Sequence, residues 1–550
     1  MARVRYKRVI MQSDGDVLSG ATVKVWTANT GSVSGATTTG TPISTSIYAA
    51  VSGGSPISST LTTNSRGEVD FYADFKDAAR VDLGVDALGS DPARVFSYEA
   101  PEFDAVDLVR SRRVDLVNEY GITANDTSAA ATNTAALNQA ATDYLDANAG
   151  ARFKLRGTTG GYYFNNGVII NPAAVASRTP GFELEGDGEE ATRLWFPQAN
   201  GTSSITVGGN GYDNGEVRFP TFRKLQIRQF DATGAALPNS LGPSGWALDF
   251  KDGARYPVLD RVWVYQARKG VKFGEDNAAK EFLGGNVVNS QIDVAPLTWW
   301  NGAAPIAVQL HAGGGFAMNK VELNGNGDGT LPTWNGTSIG FKFAPPAASL
   351  WDTADFHNVL VKDHGTGVDL STTGRMTTVT WVGCRFDGIA DTCVNLVAGA
   401  ANAIHTWTFD ASWFVAELFG IKADGSAGAG YLYKLKLGLN HFVTRIARSA
   451  LLATRVTGLT AFGNEFGGGA ATYHSVQLDN CQNFGFENND FSGYQGGAAS
   501  GFCLQILASC DYFSVGSVNR YNVASKTGGA VNNAAGASAG RRIVETGVSY

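Results

Sequence analysis

From Thr377 to about Ala535, apolar and polar residues alternate in twos, and Gly and Asn punctuate the alternation. A period of two predicts strands rather than helices. The segments share one ending: VTWVGCRF closes at Phe386, TWTFDASWF at Phe414, KLKLGLNHF at Phe442, LTAFGNEF at Phe466, NFGFENNDF at Phe491 and YFSVGSVNRY at Tyr521. The closing aromatic recurs after 28, 28, 24, 25 and 30 residues. A repeat of that length, with insertions confined to loops, is the signature of a solenoid. Each rung reads as a strand, a bend, a second strand and a variable loop. That is one turn of a parallel β-helix.

Phasing the closing aromatic inward places Cys384, Ser412, Asn440, Asn464, Asn489 and Asn519 inward as well, two residues earlier. Four successive Asn in one column predict an amide ladder at about the 4.8 Å strand spacing. Five residues before the aromatic stand Trp381, Phe409, Leu437, Ala461, Phe486 and Gly516, mostly core. The parity changes between these columns, so a bend lies between them. The residue just before each aromatic then points outward. That column is Arg385, Trp413, His441, Glu465, Asp490 and Arg520.

The start of the chain reads differently. Strand-like pieces at 4–11, 21–27, 47–50, 68–73, 81–85 and 95–98 are separated by turn signals such as Asn64-Ser-Arg-Gly67, without helical periodicity. They predict a small β-sandwich over residues 1–105. A linker and cap occupy 106–150. They contain the one clear amphipathic helix, with Leu137, Ala141, Tyr144 and Leu145 on one face. Residues 151–550 form the solenoid, with candidate rungs at Phe222, Val258, Val287, Met318 and Phe356, and a final strand at 541–550.

Two stretches carry resemblances. Gly15-Asp-Val-Leu-Ser-Gly-Ala-Thr-Val-Lys-Val25, followed by Leu61-Thr-Thr-Asn-Ser-Arg-Gly-Glu-Val-Asp-Phe-Tyr72, resembles the N-terminal attachment modules of phage tail spikes and minor tail proteins. Similar sandwiches occur in carboxypeptidase-regulatory-like and transthyretin-like domains. The second stretch runs from Val114 through Asn125-Asp-Thr127, the helix and Phe182-Glu-Leu-Glu-Gly-Asp-Gly188 to Phe196. It resembles the opening of the pectate-lyase-like superfamily, although Arg156-Gly-Thr-Thr-Gly-Gly-Tyr-Tyr163 replaces the usual Pro-Pro-Gly-x-Tyr. The resemblance implies a right-handed parallel β-helix whose open end the helix covers, shielding a sheet edge. It also implies a homotrimeric tail spike, attached to a tail or baseplate protein by the sandwich and facing host cell-surface polysaccharide.

Composition narrows this picture. The 550 residues include 68 Gly and only 4 Met, which suits tight turns and small stacked side chains. A net charge of −7 argues against a nucleic-acid binder. Five cysteines without metal-site spacing read as reduced core thiols. No signal peptide is expected after MARVRYKRVI, and no transmembrane helix or membrane insertion, since no run of 18 apolar residues exists. The expected location is a virion tail tip, after synthesis in a host cytoplasm.

The candidate chemistry lies on the outward column. Glu465 and Asp490 on adjacent rungs offer a carboxylate pair of the kind glycosidases use. Trp413, His441, Arg385 and Arg520 would bind sugar beside them, and Trp299 and Trp300 offer loop platforms, with Trp334 and Trp351 nearby. Lys362-Asp-His-Gly365 sets an acid beside a histidine, but neighbours on a strand face opposite ways, so adjacency alone builds no dyad. The polygalacturonase-type Asn-Thr-Asp, Asp-Asp and Gly-His-Gly set does not occur, and no cofactor or metal is expected. The expected function is recognition of host glycan by a tail spike, with depolymerase activity left open. The alternatives are a stand-alone polysaccharide lyase or hydrolase, and a structural tail component.

Overall fold

The computed structural model describes residues 3–10, 17–27, 30–41, 47–48, 56–66, 68–74, 80–88, 92–99, 113–145, 151–171, 181–197, 201–208, 216–229, 245–275, 282–294, 304–311, 313–325, 335–345, 350–372, 375–398, 404–426, 432–443, 447–467, 473–493, 501–522, 528–536, 542–544 and 548–549. The chain divides into two compact units, 1–111 and 112–550.

In the first unit, two four-stranded sheets enclose one core. One orders Arg3–Val9, Glu68–Asp74, Ile47–Tyr48 and Pro56–Ile57, and the other Arg94–Glu99, Arg80–Val85, Thr22–Thr27 and Thr60–Thr62. Alternation along the strands sends Val23, Val25, Val69, Phe71, Val81, Leu83 and Val85 inward. This is the expected sandwich. A hairpin of Ser32–Ser34 with Thr37–Thr39 is an addition, because its Ser- and Thr-rich strands carry no apolar alternation.

The second unit is a parallel β-helix. The strands of its described residues form one 30-stranded and one 13-stranded sheet. A representative rung runs Arg375–Val382, a bend, Arg385–Ile389, and then Thr392–Ala398 in the second sheet. Each rung therefore has a third strand where the sequence reading placed only a loop. Thr392–Ala398 is short and mostly apolar without strict alternation, so periodicity alone does not separate it from a buried connection.

The closing aromatics form a continuous buried stack. Ring centroids are 5.0 Å apart for Phe386–Phe414, 4.5 Å for Phe414–Phe442, 5.1 Å for Phe442–Phe466, 5.3 Å for Phe466–Phe491 and 4.9 Å for Phe491–Tyr521. The Asn ladder runs beside it. Nδ2 of Asn440 donates to Oδ1 of Asn464 at 3.0 Å, Asn464 to Asn489 at 3.0 Å and Asn489 to Asn519 at 3.1 Å. Each Nδ2 also donates to a carbonyl of the preceding rung, and each Oδ1 accepts the backbone N–H of the preceding ladder residue. The amides thus satisfy polar groups that the bend would otherwise leave buried and unpaired. The residues ahead of Val359, Cys384, Ser412, Asn440, Asn464 and Asn489 are left-handed: Asn358, Gly383, Ala411, Leu439, Gly463 and Asn488 have φ between 47° and 66°. Ala411 and Leu439 hold this conformation at a cost of about 1–2 kcal/mol each, which the ladder offsets.

One column needs correction. Phe486 pairs with Val515 rather than Gly516, because the last bend contains one more residue. The final segment also splits, into Arg542–Val544 and Val548–Ser549, which pair with successive strands of the preceding rung.

The helix spans Ala130–Leu145 and buries Leu137, Ala141, Tyr144 and Leu145 as expected. It covers an edge by direct hydrogen bonds. Asn138 Oδ1 accepts Ile169 N, and Thr134 Oγ1 accepts Asn165 N. Buried Asn133 ties the helix to Thr123 and Tyr163. A second, five-residue helix at Leu116–Tyr120 was not expected. It is too short to show a period, and its signals are the cap Asp115 and the left-handed Gly121. All five cysteines are buried free thiols. Among the described residues, no helix is long and apolar enough to cross a membrane.

Candidate functional site

The bend that turns the ladder inward turns the next residue outward, so one position per rung faces solvent in register. Strand pairing places Arg385, Trp413, His441, Glu465, Asp490 and Arg520 in that order across adjacent strands, as the sequence phasing requires. The same column continues toward the N-terminus through Leu360, Glu322, Gln291 and Trp263, and its next register position, Gln226, is buried. Sequence reasoning missed this half. There the ladder positions hold Ser290, Val321 and Val359, so no Asn marks the phase. The signal present was the strand pattern at Val287 and Met318.

Along the C-terminal half the side chains engage one another. Trp413 is 45% exposed and lies 4.1 Å, centroid to centroid, from the His441 ring. His441 Nδ1 is 2.5 Å from Glu465 Oε2, and Arg520 Nη2 is 2.8 Å from Asp490 Oδ2. Arg385 pairs with Asp387 at 2.6 Å. Glu465 and Asp490 are register neighbours, and each carboxylate has its own partner on the side away from the other, His441 for Glu465 and Arg520 for Asp490.

The N-terminal half borders an open groove of about 560 Å³. Its walls include Trp263, Gln291, Glu322, Leu360, Glu189 and Glu190, and the left-handed bend residues Asn289, Lys320 and Asn358 line it too. Two wall residues hold a carboxylate. Trp263 Nε1 donates to Asp293 Oδ2 at 2.7 Å, and Gln291 Nε2 donates to Asp293 at 2.9 and 3.1 Å. Asp293 is only 5% exposed. Burial pushes its carboxyl up to about 6, and the nearby Glu322 charge adds to this, against the hydrogen bonds and Lys362. Glu322 Oε1 is 2.5 Å from Lys362 Nζ. An aromatic run lies beside these groups: Arg228 stacks at 4.8 Å on Trp195 and 4.4 Å on Tyr265, and Tyr265 meets Trp263 edge-on at 5.1 Å.

The remaining candidates separate. His364 is fully buried, with Nδ1 3.1 Å from Ser338 Oγ, and burial lowers its pKa to about 3. Asp363 sits at φ 60° in the adjoining bend, so the two build no dyad. Trp299, Trp300 and Trp334 lie outside the described residues, and of Trp351 only its place in the strand Leu350–His357 is described. Among the described residues, no group of three or more His, Cys, Asp or Glu is placed to hold a metal ion.

No protein-family model matches the chain, and no curated protein sequence matches it. Solved structures do align. Tailspike protein 3 of bacteriophage CBA120 is 12% identical over 81% of this chain, with a TM-score of 0.42. This chain spans 62% of that protein's length. A mutant tailspike of E. coli bacteriophage HK620, in complex with a hexasaccharide, is 11% identical over 78% of each chain, with a TM-score of 0.47. The catalytic unit of an α-1,3-glucanase from Streptomyces thermodiastaticus is 12% identical over 96% of this chain and 90% of its own, with a TM-score of 0.41.

Proposed function

We propose that this chain is a phage tail spike or minor tail protein that binds a bacterial surface glycan along the outward face from Trp263 to Arg520. The observation that carries the reading is the in-register column itself. It puts Trp263, Trp413 and His441, the carboxylates Glu322, Glu465 and Asp490, and the guanidiniums of Arg385 and Arg520 on one face beside a groove. Sugar rings present C–H faces that pack on aromatics, while their hydroxyls bond carboxylates and guanidiniums. A straight column at strand spacing fits a linear, extended ligand. Glu465 and Asp490, read from sequence as a catalytic pair, keep their place on this face and accept sugar hydroxyls.

In this reading the assembly is a homotrimer, the N-terminal sandwich attaches it to a tail or baseplate protein, and the β-helix faces host polysaccharide from the virion tail tip. The test is binding of the purified, labelled chain to a panel of bacterial lipopolysaccharides and capsular polysaccharides. Saturable binding to a defined subset supports the proposal. Binding to none leaves the structural tail component as the better reading.

A further inference from the structure

The outward face carries a second cluster, N-terminal to Trp263, that a neutral glycan does not require. We propose that Arg193 and Arg228 form a subsite for an oxyanion, carboxylate or phosphate, carried by one sugar of the bound glycan. This rests on the glycan-binding reading and gives that glycan a charge.

Strand alternation sets the cluster out. Along Arg193–Phe196, Leu194 and Phe196 are buried, while Arg193 and Trp195 are partly exposed. The next two rungs repeat this. Leu225, Ile227, Val262 and Val264 are buried, and Arg228, Trp263 and Tyr265 are partly exposed. Pairing then builds two short columns on one face. Arg193, Gln226 and Trp263 are in register, and beside them Tyr163, Trp195, Arg228 and Tyr265. The second column runs ring, ring, guanidinium, ring. Tyr163 stacks on Trp195 at 5.9 Å, and Arg228 lies over both Trp195 and Tyr265. Two rings therefore hold this guanidinium in place.

The polar groups of the cluster are donors short of acceptors. Gln226 is fully buried, and its Oε1 accepts Arg228 Nε at 2.5 Å. That bond fixes the amide, because the reverse orientation would set N–H against N–H. Gln226 Nε2 then meets no acceptor among the described residues, and neither does Arg193 Nε. Arg193 also forms no ion pair among them, unlike Arg152, Arg218 and Arg223 of the same sheet, each of which does. Burial, and after it the Arg193 charge, weigh against the charged form of Arg228. Two neighbouring guanidiniums, one of them without a counter-charge, over donors without acceptors leave this patch positive. The buried donors set that potential. The partly exposed guanidiniums make the contact.

An oxyanion supplies what the patch lacks. A guanidinium takes carboxylate or phosphate through paired N–H bonds, and the sugar that bears it packs a C–H face on Trp195, Trp263 or Tyr265. The adjoining groove has the opposite lining, with Glu189, Glu190 and Glu322 beside Lys320. It repels a second acid. Together the two regions select a chain in which an acidic sugar adjoins neutral ones, rather than a polymer charged at every residue.

The experiment takes the polysaccharides that bind in the lipopolysaccharide and capsule panel and prepares each in three forms. One is untreated, one is carboxyl-reduced with carbodiimide and borohydride, and one is stripped of phosphate with hydrofluoric acid. Biolayer interferometry gives the affinity of wild type and Arg193→Gln for each form. At least one treatment should lower wild-type affinity by about tenfold or more, and which one does so tells carboxylate from phosphate. Arg193→Gln should lose a similar factor on the untreated polymer and nothing further on the treated one, since both changes remove the same contact. Wild-type affinity that survives both treatments overturns this inference and leaves the glycan-binding reading intact. An Arg193→Gln loss of equal size on treated and untreated polymer does the same. Absence of binding to every untreated polymer overturns both. If Arg193→Gln fails to fold, Arg228→Gln in the same comparison decides.

Discussion

Asn464 donates its side-chain N–H to Asn489 at 3.0 Å while its own oxygen accepts two N–H groups from Asn440, at 3.0 Å each. A fourth bond runs from Nδ2 to the Leu437 carbonyl at 3.0 Å. One buried amide therefore joins three successive rungs.

Asn464→Ala should lower stability by about 3 kcal/mol or more, since it strands several buried polar groups that each cost about 1–3 kcal/mol. Asn464→Asp should be worse, because it sets a carboxylate against Leu437 O and Asn489 Oδ1. Denaturant unfolding of the two variants gives the order, and equal stability of Ala, Asp and wild type would refute the ladder's role.

Acid should weaken the fold through His364. Burial depresses its folded pKa to about 3, below the ordinary value of 6.5. Between those values the unfolded chain binds the proton more tightly. The contribution is complete above about 6.5 and is lost as pH falls, by about 3 kcal/mol at pH 4. His364→Gln should flatten the stability difference between pH 7.5 and 4.5 relative to wild type.

Asp293 has the opposite sign. Its folded pKa of about 6 lies above the ordinary 3.8, so its ionised form burdens the folded state above pH 6. That burden fades as pH falls toward 4. Asp293→Asn should therefore raise stability at pH 7.5 by about 2 kcal/mol, after allowing for a weakened hydrogen bond, and show no gain at pH 4. Unfolding midpoints at the two pH values check this.

The solution mass should be about three times the 57.9 kDa of one chain. Light scattering after size exclusion measures it, and a monomer would count against the tail-spike assembly.

The sequence exposed what repeats regularly. Phe386 to Tyr521 recur at nearly fixed spacing, so the inward stack, the Asn ladder and the outward column from Arg385 to Arg520 follow from phase alone. Where the repeat loses its markers, legibility fails. Ser290, Val321 and Val359 occupy the ladder positions without an amide, and long insertions vary the rung length, so Trp263, Gln291 and Glu322 did not register as one column. Left-handed bends filled by Arg261, Lys320 and Leu439 carry no turn signature. Asp293 was invisible for a different reason: its properties arise from burial and from two neighbours, one of them on another rung.

The most direct measurement is the affinity of a bound polysaccharide for Trp413→Ala and Arg520→Ala, read by biolayer interferometry beside Lys422→Ala on the other sheet. The account predicts at least about a tenfold loss for the two face variants, consistent with about 1–3 kcal/mol for an aromatic or charge-assisted contact, and wild-type affinity for Lys422→Ala. Unchanged binding in both face variants, or a loss confined to Lys422→Ala, would contradict it.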